Sequence, residues 1–177
     1  MDNTHGSVTM SSSTYLEDNS NYQYDLAVIY TAELLPWLKS FISLAEKHWS
    51  LRVFLFDRDN MPGGAIVEEW ANNLQRSRRI LLFATSSLDE WAEYATILAH
   101  SFSPSGKSVR LGIAKLEECK QIDCFKVFTV IDYTRMSGRD FFWQNVYAFC
   151  TDKRVTLVED IPGFQHLKDE IVLDYDD

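Results

Sequence analysis

The stretch FLFDRDNMPGG, residues 54–64, sets two carboxylates, Asp57 and Asp59, on either side of Arg58 and follows them with Asn60, Met61, Pro62, Gly63 and Gly64. These residue types at this spacing suit three kinds of chemistry. Acids and a base at the end of a strand could line a substrate pocket, paired glycines could bring backbone amides up to a phosphate, and a Met-Pro tip could be held by another protein. Pro62 fixes its own φ and drives Met61 toward an extended conformation, and Gly63 and Gly64 admit positive φ ahead of a helix, so the segment is shaped. Phosphate is the poorest fit. No Gly-Lys-Ser/Thr follows, and Glu68 and Glu69 fall in the first turns of the next helix, where an anion would meet like charge. Docking fits better, with Met61 and Pro62 as apolar surface at the tip and Asp57, Arg58 and Asp59 as a polar collar that orients a partner. Residue types alone leave a docking knob and an ordinary surface loop both open.

Other groupings point to less. His48, His100 and His166 have no Ser or Cys placed beside them by spacing, and solvated or packed histidines are the commoner case. Cys119, Cys124 and Cys150 are odd in number with no repeated C-x-x-C, so neither a disulfide framework nor a zinc site is indicated, and reduced thiols are expected. No metal or cofactor is expected. Arg76, Arg78 and Arg79 cluster where a helix should end and are read as complementing its dipole, with an acidic partner patch as the alternative.

The elements that must position these residues alternate. Strand-type runs occur at YDLAVIY (24–30), LRVFLF (51–56), RILLFAT (79–85), VRLGIAKL (109–116) and FKVFTVIDY (125–133). Helical stripes lie between and after them. Leu34, Leu38, Phe41, Ile42 and Ala45 share one face, with Pro36 in the first turn, where its missing N–H costs little. Ile66, Val67, Trp70, Ala71 and Leu74 form a second stripe, with Glu68, Glu69, Asn72 and Asn73 off it. Leu88, Trp91, Ala92, Ala95, Leu98, Ala99 and Phe102 form a third, which SPSGK (103–107) ends. RDFFWQNVYAFC (139–150) closes the series as an aromatic helix, and its Phe142 and Trp143 are read as core anchors, with binding surface as the alternative. Five strands alternating with helices imply an α/β fold: a flavodoxin-like, doubly wound five-stranded parallel sheet with helices on both faces and functional loops at the strands' carboxyl ends. A response-receiver reading of that fold fails on residue type, because Thr31 and Thr85 stand where acids and a phosphoacceptor Asp are needed.

Composition narrows the partners. The 177 residues carry a formal charge of −9, but residues 1–23 hold 3 acids and no base, and residues 151–177 hold 8 acids against 3 bases. Residues 24–150 are nearly neutral, with 15 acids and 14 bases, so repulsion would not oppose packing against a copy of the chain. No basic face is available for nucleic acid. The expected organisation is a disordered Ser/Thr/Asn-rich tail over 1–23, one domain over 24–150 and an acidic C-terminal extension over 151–177. No leader, lipidation signal or membrane-spanning run is visible, so a cytoplasmic protein without direct membrane insertion is expected.

Three of these segments resemble a known family. YDLAVIY, then DRDNMPG after the second strand, then Phe142-Trp143 in the last helix are similar, in order and spacing, to the three sequence boxes of the Toll/interleukin-receptor (TIR) domain. Further on, AHSFSPSGKSVRLGIAKLEE, FKVFTVIDYT and DFFW resemble the TIR domains of the myeloid differentiation primary-response type of adaptor. The resemblance implies the TIR fold and a cytosolic adaptor or scaffold that meets other TIR domains, of receptors or adaptors, in innate immune signalling. It also implies homo-oligomers or open filaments and assigns the contact to the loop of Asp57, Arg58, Asp59, Asn60, Met61, Pro62 and Gly63. That type of adaptor carries a death domain before its TIR domain, whereas the Ser-rich lead-in stands there in this sequence, so a decoy that inhibits such signalling is one alternative, and a TIR-type NAD-cleaving enzyme is a second, less favoured one. Some TIR domains cleave NAD with a Glu four residues after a Trp on the third helix. The matching position after Trp91 is Ala95, and Glu93 lies about 200° of helical rotation away from it, so no enzymatic activity is expected.

Overall fold

A computed structural model describes residues 21–102, 110–119 and 128–165. Its sheet has the order β2-β1-β3-β4-β5, all strands parallel, with β1 (Tyr24–Ile29) paired to both β2 (Val53–Phe54) and β3 (Ser77–Ala84). β4 (Leu111–Lys115) pairs with β3, and β5 (Val130–Asp132) closes the far edge. This is the doubly wound arrangement the alternating pattern implied.

Side chains of a strand alternate between faces, and the central strands here are apolar on both. Leu26, Val28, Leu81, Phe83 and Ala114 face one core layer with α1 (Leu35–Lys47) and α6 (Phe142–Thr151). Ala27, Ile29, Ile80, Leu82, Ala84, Leu111 and Ile113 face the other, with α3 (Ile66–Gln75) and α4 (Glu90–Ser101). In the first layer Phe41 meets Phe83 edge-on at 5.0 Å between ring centroids, and Trp143 lies over Phe41 at 6.4 Å. α1 starts with Pro36 in its first turn and buries Leu38, Phe41, Ile42 and Ala45, as its spacing predicts.

Several expectations change. The second strand is two residues long, because Phe56 already begins a single helical turn, α2 (Phe56–Asp59). On α3 the polar Asn73 is buried and Ile66 and Val67 are exposed; Asn73 donates to the Glu69 carbonyl at 2.8 Å, which satisfies the buried amide. On α4 the buried face is Ala92, Ala95, Thr96 and Ala99, and Trp91 is 49% exposed. The arginines near the end of α3 do not serve that helix alike. Arg78 and Arg79 both reach Asp152 just past α6, and Arg78 also donates to the Cys150 carbonyl at 2.9 Å. The carbonyls at the end of α3 are held by Arg110, which donates to Leu74 and Gln75 at 3.2 and 3.0 Å and to Ser77 at 2.6 Å. A short turn, α5 (Met136–Arg139), precedes α6, and Phe142 is fully buried with Trp143 packed on the same core. Beyond α6 the chain stays against the body, with Ile161 2% exposed and Trp49 Nε1 donating to the Pro162 carbonyl at 3.0 Å. The lead-in over 1–20, the SPSGK break, Cys124 and the acidic end from 166 onward lie outside the described residues. No described helix is long and apolar enough to cross a membrane.

Candidate functional site

The loop after β2 is rooted by its charged residues. Arg58 donates from Nη2 to the Val53 carbonyl at 2.6 Å, pairs with Glu46 of α1 at 2.9 Å and meets Asp59 at 2.7 Å. Asp59 also accepts the Leu55 amide at 2.9 Å, closing the turn of α2 on itself. Hydrogen bonding to Asp59 raises the Arg58 pKa above its ordinary value against the opposing cost of burial, and Glu46 adds to the rise. On the other side Tyr30, at the end of β1, donates its hydroxyl to Asp57, whose amide returns a bond to that oxygen at 3.2 Å. Burial, and then that bond, push the Tyr30 hydroxyl well above its usual range, so it remains a donor.

These contacts revise the collar: Asp57, Arg58 and Asp59 hold the loop to β1, β2 and α1 through their own chain. The tip remains outside. Met61 is 68% exposed, Pro62, Gly63 and Gly64 are exposed, and Gly63 takes φ +88°, a conformation that side-chain-bearing residues rarely adopt. Glu69, one turn into α3, accepts the Met61 amide at 3.3 Å, and its carboxylate stands 2.7 Å from where a Cβ at Gly64 would be. The tip is therefore braced from both ends, with Asn60 half-buried between root and tip. The sequence read Glu69 only as an anion that repels phosphate; its bracing role depends on a contact across eight residues.

A second polar cluster lies at the carboxyl ends of β4 and β5. Lys115 pairs with Glu118 at 2.6 Å, Asp132 with Arg135 at 3.2 Å, and Thr134 donates to Asp132 at 2.6 Å. Burial opposes ionisation of Asp132, but the Thr134 hydroxyl and amide win and bring its carboxyl below the ordinary range. Cys119 lines the same recess, and burial raises its thiol, the opposite of what an activated nucleophile needs. Among the described residues no group of His, Cys, Asp and Glu could hold a metal ion.

Ala95 is fully buried on the sheet side of α4, so the position the resemblance gives to a catalytic carboxylate points into the core. Trp91, Tyr94 and Ile97, at 49, 37 and 52% exposure, instead form an apolar stripe on the outer face of α4. The sequence missed this stripe because three alanines and a threonine supply the inward face without them.

The chain is thus a doubly wound parallel sheet with a braced, apolar-tipped loop after its second strand. No family model matches the sequence. Human Toll/interleukin-1 receptor domain-containing adapter protein is 37% identical over 87 residues, 48% of this chain and 39% of that protein. Human interleukin-18 receptor 1 is 33% identical over 58 residues, 33% of this chain and 10% of the receptor. The chain thus spans well under half the length of these relatives. Among solved structures, the TIR domain of the Toll-related receptor TRR-2 from Hydra magnipapillata superposes with a TM-score of 0.61 at 16% identity, covering 72% of this chain and 98% of that one. Sequence matches and fold agree: over part of its length the chain resembles TIR-containing receptors and adaptors, and it adopts the TIR fold.

Proposed function

We propose that this chain is a cytosolic TIR-domain adaptor or scaffold that joins receptor or adaptor TIR domains in innate immune signalling through TIR-to-TIR contacts. The observation that carries the reading is the Met61-Pro62-Gly63 tip, exposed at the end of a loop whose polar residues are already engaged within the chain. A rigid apolar tip loses little entropy when it is captured. The near-neutral charge of residues 24–150 also supports contacts between copies. If the tip of one copy meets a different face of the next, the contact is heterologous and propagates as an open assembly instead of closing. The reading includes no catalytic step, in keeping with the buried methyl of Ala95.

The experiment is co-association of the full chain with other TIR domains, for wild type, Met61→Asp and Pro62→His, with folding followed by circular dichroism. The expected result is native spectra and lost association for both variants; unchanged association would overturn the assignment. Expressing the chain beside an active adaptor then fixes the sign: a rise in pathway output is the expected result for an adaptor, and a fall identifies a decoy.

A further inference from the structure

Glu90, Tyr94, Ile97 and Ser101 recur at helical spacing along α4, on the side away from the buried Ala92, Ala95, Thr96 and Ala99. That outer face is apolar and acidic at once. Tyr94 and Ile97 are exposed, Trp91 meets Tyr94 edge-on at 6.5 Å between ring centroids, and Glu90 and Glu93 stand in the first turn. Asp89 adds a third acid as the N-cap, accepting the Ala92 amide at 2.8 Å, and residues 86–99 hold no Lys or Arg.

A second exposed apolar patch has the opposite charge. The turn α5 and the step from it into α6 carry Met136, 86% exposed, and Phe141, 58% exposed. Residues 133–141 hold two arginines, Arg135 and Arg139, against the single acid Asp140. Arg139 donates its amide to the Arg135 carbonyl at 3.0 Å and Phe141 donates its own to the Gly138 carbonyl at 3.3 Å, so the segment is a closed turn. The Arg139 guanidinium lies over the Tyr133 ring at 5.0 Å and donates to the Tyr133 carbonyl at 2.9 Å, which fixes an exposed cation that has no carboxylate among its described partners.

We propose that these faces are the two halves of one contact between copies of this chain: the outer face of α4 in one copy receives Met136 and Phe141 of the next, with Arg139 set against Glu90 and Glu93. Two features select a second copy as the occupant. Each patch is apolar at its centre, and the charges around the two are opposite in sign. The patches also lie on different elements, α4 beside α3 in one layer and α5 directly after β5, so the contact is heterologous. Each copy keeps its other face open, and the assembly extends instead of closing. A few exposed side chains fall well short of the roughly 800 Å² per partner of a standard interface, so the contact is weak in a pair and gains from repetition along a string of copies. It rests on the reading that the chain assembles through TIR-to-TIR contacts, but it does not use the Met61 tip.

The test is sedimentation velocity of the full chain over a concentration series at low salt, for wild type, Glu90→Arg, Arg139→Glu and the double variant. Each single variant is expected to weaken self-association by about tenfold at an unchanged melting temperature. The double variant, in which the two signs are exchanged, is expected to return toward wild type. Ile97→Asp should abolish self-association, and added salt should weaken it in wild type. A wild-type chain that stays monomeric overturns the proposal, as do single variants that associate like wild type or a double variant weaker than either single. Co-association with other TIR domains, lost in Met61→Asp, separates the two readings: that loss beside unchanged self-association in Glu90→Arg removes this contact and leaves the tip, whereas the converse pattern supports this contact and removes the tip.

Discussion

Arg58 reaches back from its own loop to donate to the Val53 carbonyl at 2.6 Å, tying the start of the loop to β2, where Val53 stands in register with Leu26 of β1. The bond makes Arg58 a structural residue in a loop whose tip is offered outward. Its side chain is 42% exposed, so the ion pairs with Glu46 and Asp59 are screened and the carbonyl bond supplies most of its effect. Arg58→Ala is expected to cost about 1 kcal/mol by urea denaturation and to weaken TIR association only as far as the loop loosens. Met61→Asp should show the reverse, with an unchanged urea midpoint and lost association. Equal effects of the two variants on both readouts would restore Arg58 to the contact surface.

Gly112 on β4 has no side chain because Phe149 of α6 lies over it: a Cβ there would stand 2.7 Å from the Phe149 ring. Gly112→Ala is expected to destabilise the chain by about 1–3 kcal/mol through overpacking. Phe149→Leu should relieve most of that loss in the double variant, because the three nearest atoms to such a Cβ all belong to that ring. Additive losses in a double-mutant cycle would show that the glycine serves something else.

Asp152 sits at φ +61° just past α6 and gathers Arg78 and Arg79 from β3. Arg78 is only 8% exposed, so removing its carboxylate partner leaves a guanidinium in the core held by the Cys150 carbonyl. Asp152→Ala is expected to cost about 2 kcal/mol, since half of the Asp152 side chain is in water and screens the pair. Asp152→Asn should cost less, because Asn tolerates the left-handed backbone and still accepts a hydrogen bond. Thermal unfolding of the two variants gives the order directly.

The parallel sheet was legible because its signal is local: apolar strand runs alternate with helical stripes, and each run announces burial on both faces. The failures were of a different kind. The 51–56 run looked like a full strand because Leu55 and Phe56 are strand-formers, yet Asp59 captures the Leu55 amide and turns the chain into α2. Spacing puts Trp91 on the same stripe as Ala92, Ala95 and Ala99, yet only the small residues and Thr96 are buried on that face, and Trp91 is left at its exposed margin. The roles of Arg78, Arg79 and Arg110 rest on carbonyls and a carboxylate more than 30 residues away, which periodicity cannot register. The loop tip was visible from Pro62 and the glycines; its brace, Glu69, was not.

Cys150 is fully buried, and burial pushes its thiol pKa from 9.0 up to about 12. The unfolded thiol ionises near its ordinary value, so the unfolded state loses its proton first as pH rises. The stability tied to this group is complete below that value and is lost between it and about 12. Urea midpoints should therefore fall from about pH 8 to about pH 10.5, and Cys150→Ala should flatten, without abolishing, that fall, because the raised Tyr30 hydroxyl acts in the same direction. An identical pH dependence in the alanine variant would remove Cys150 from the account.

Ala95 lies at 0% exposure among Ala92, Ala99, Leu111 and Ile113, so a carboxylate grafted there enters the core instead of a cleft. Ala95→Glu is expected to lower stability by several kcal/mol, from added volume and from an acid taken out of water. The two causes separate by pH. A buried carboxyl has a raised pKa, so its neutral form is tolerated at low pH and the loss deepens as pH rises through that value, whereas Ala95→Gln should show the volume cost at every pH. Neither variant should cleave NAD, and the wild-type chain should leave NAD intact under the same assay. Cleavage gained by Ala95→Glu with an unchanged melting temperature would mean that α4 presents this position to a cleft, and the non-catalytic reading would fall with it.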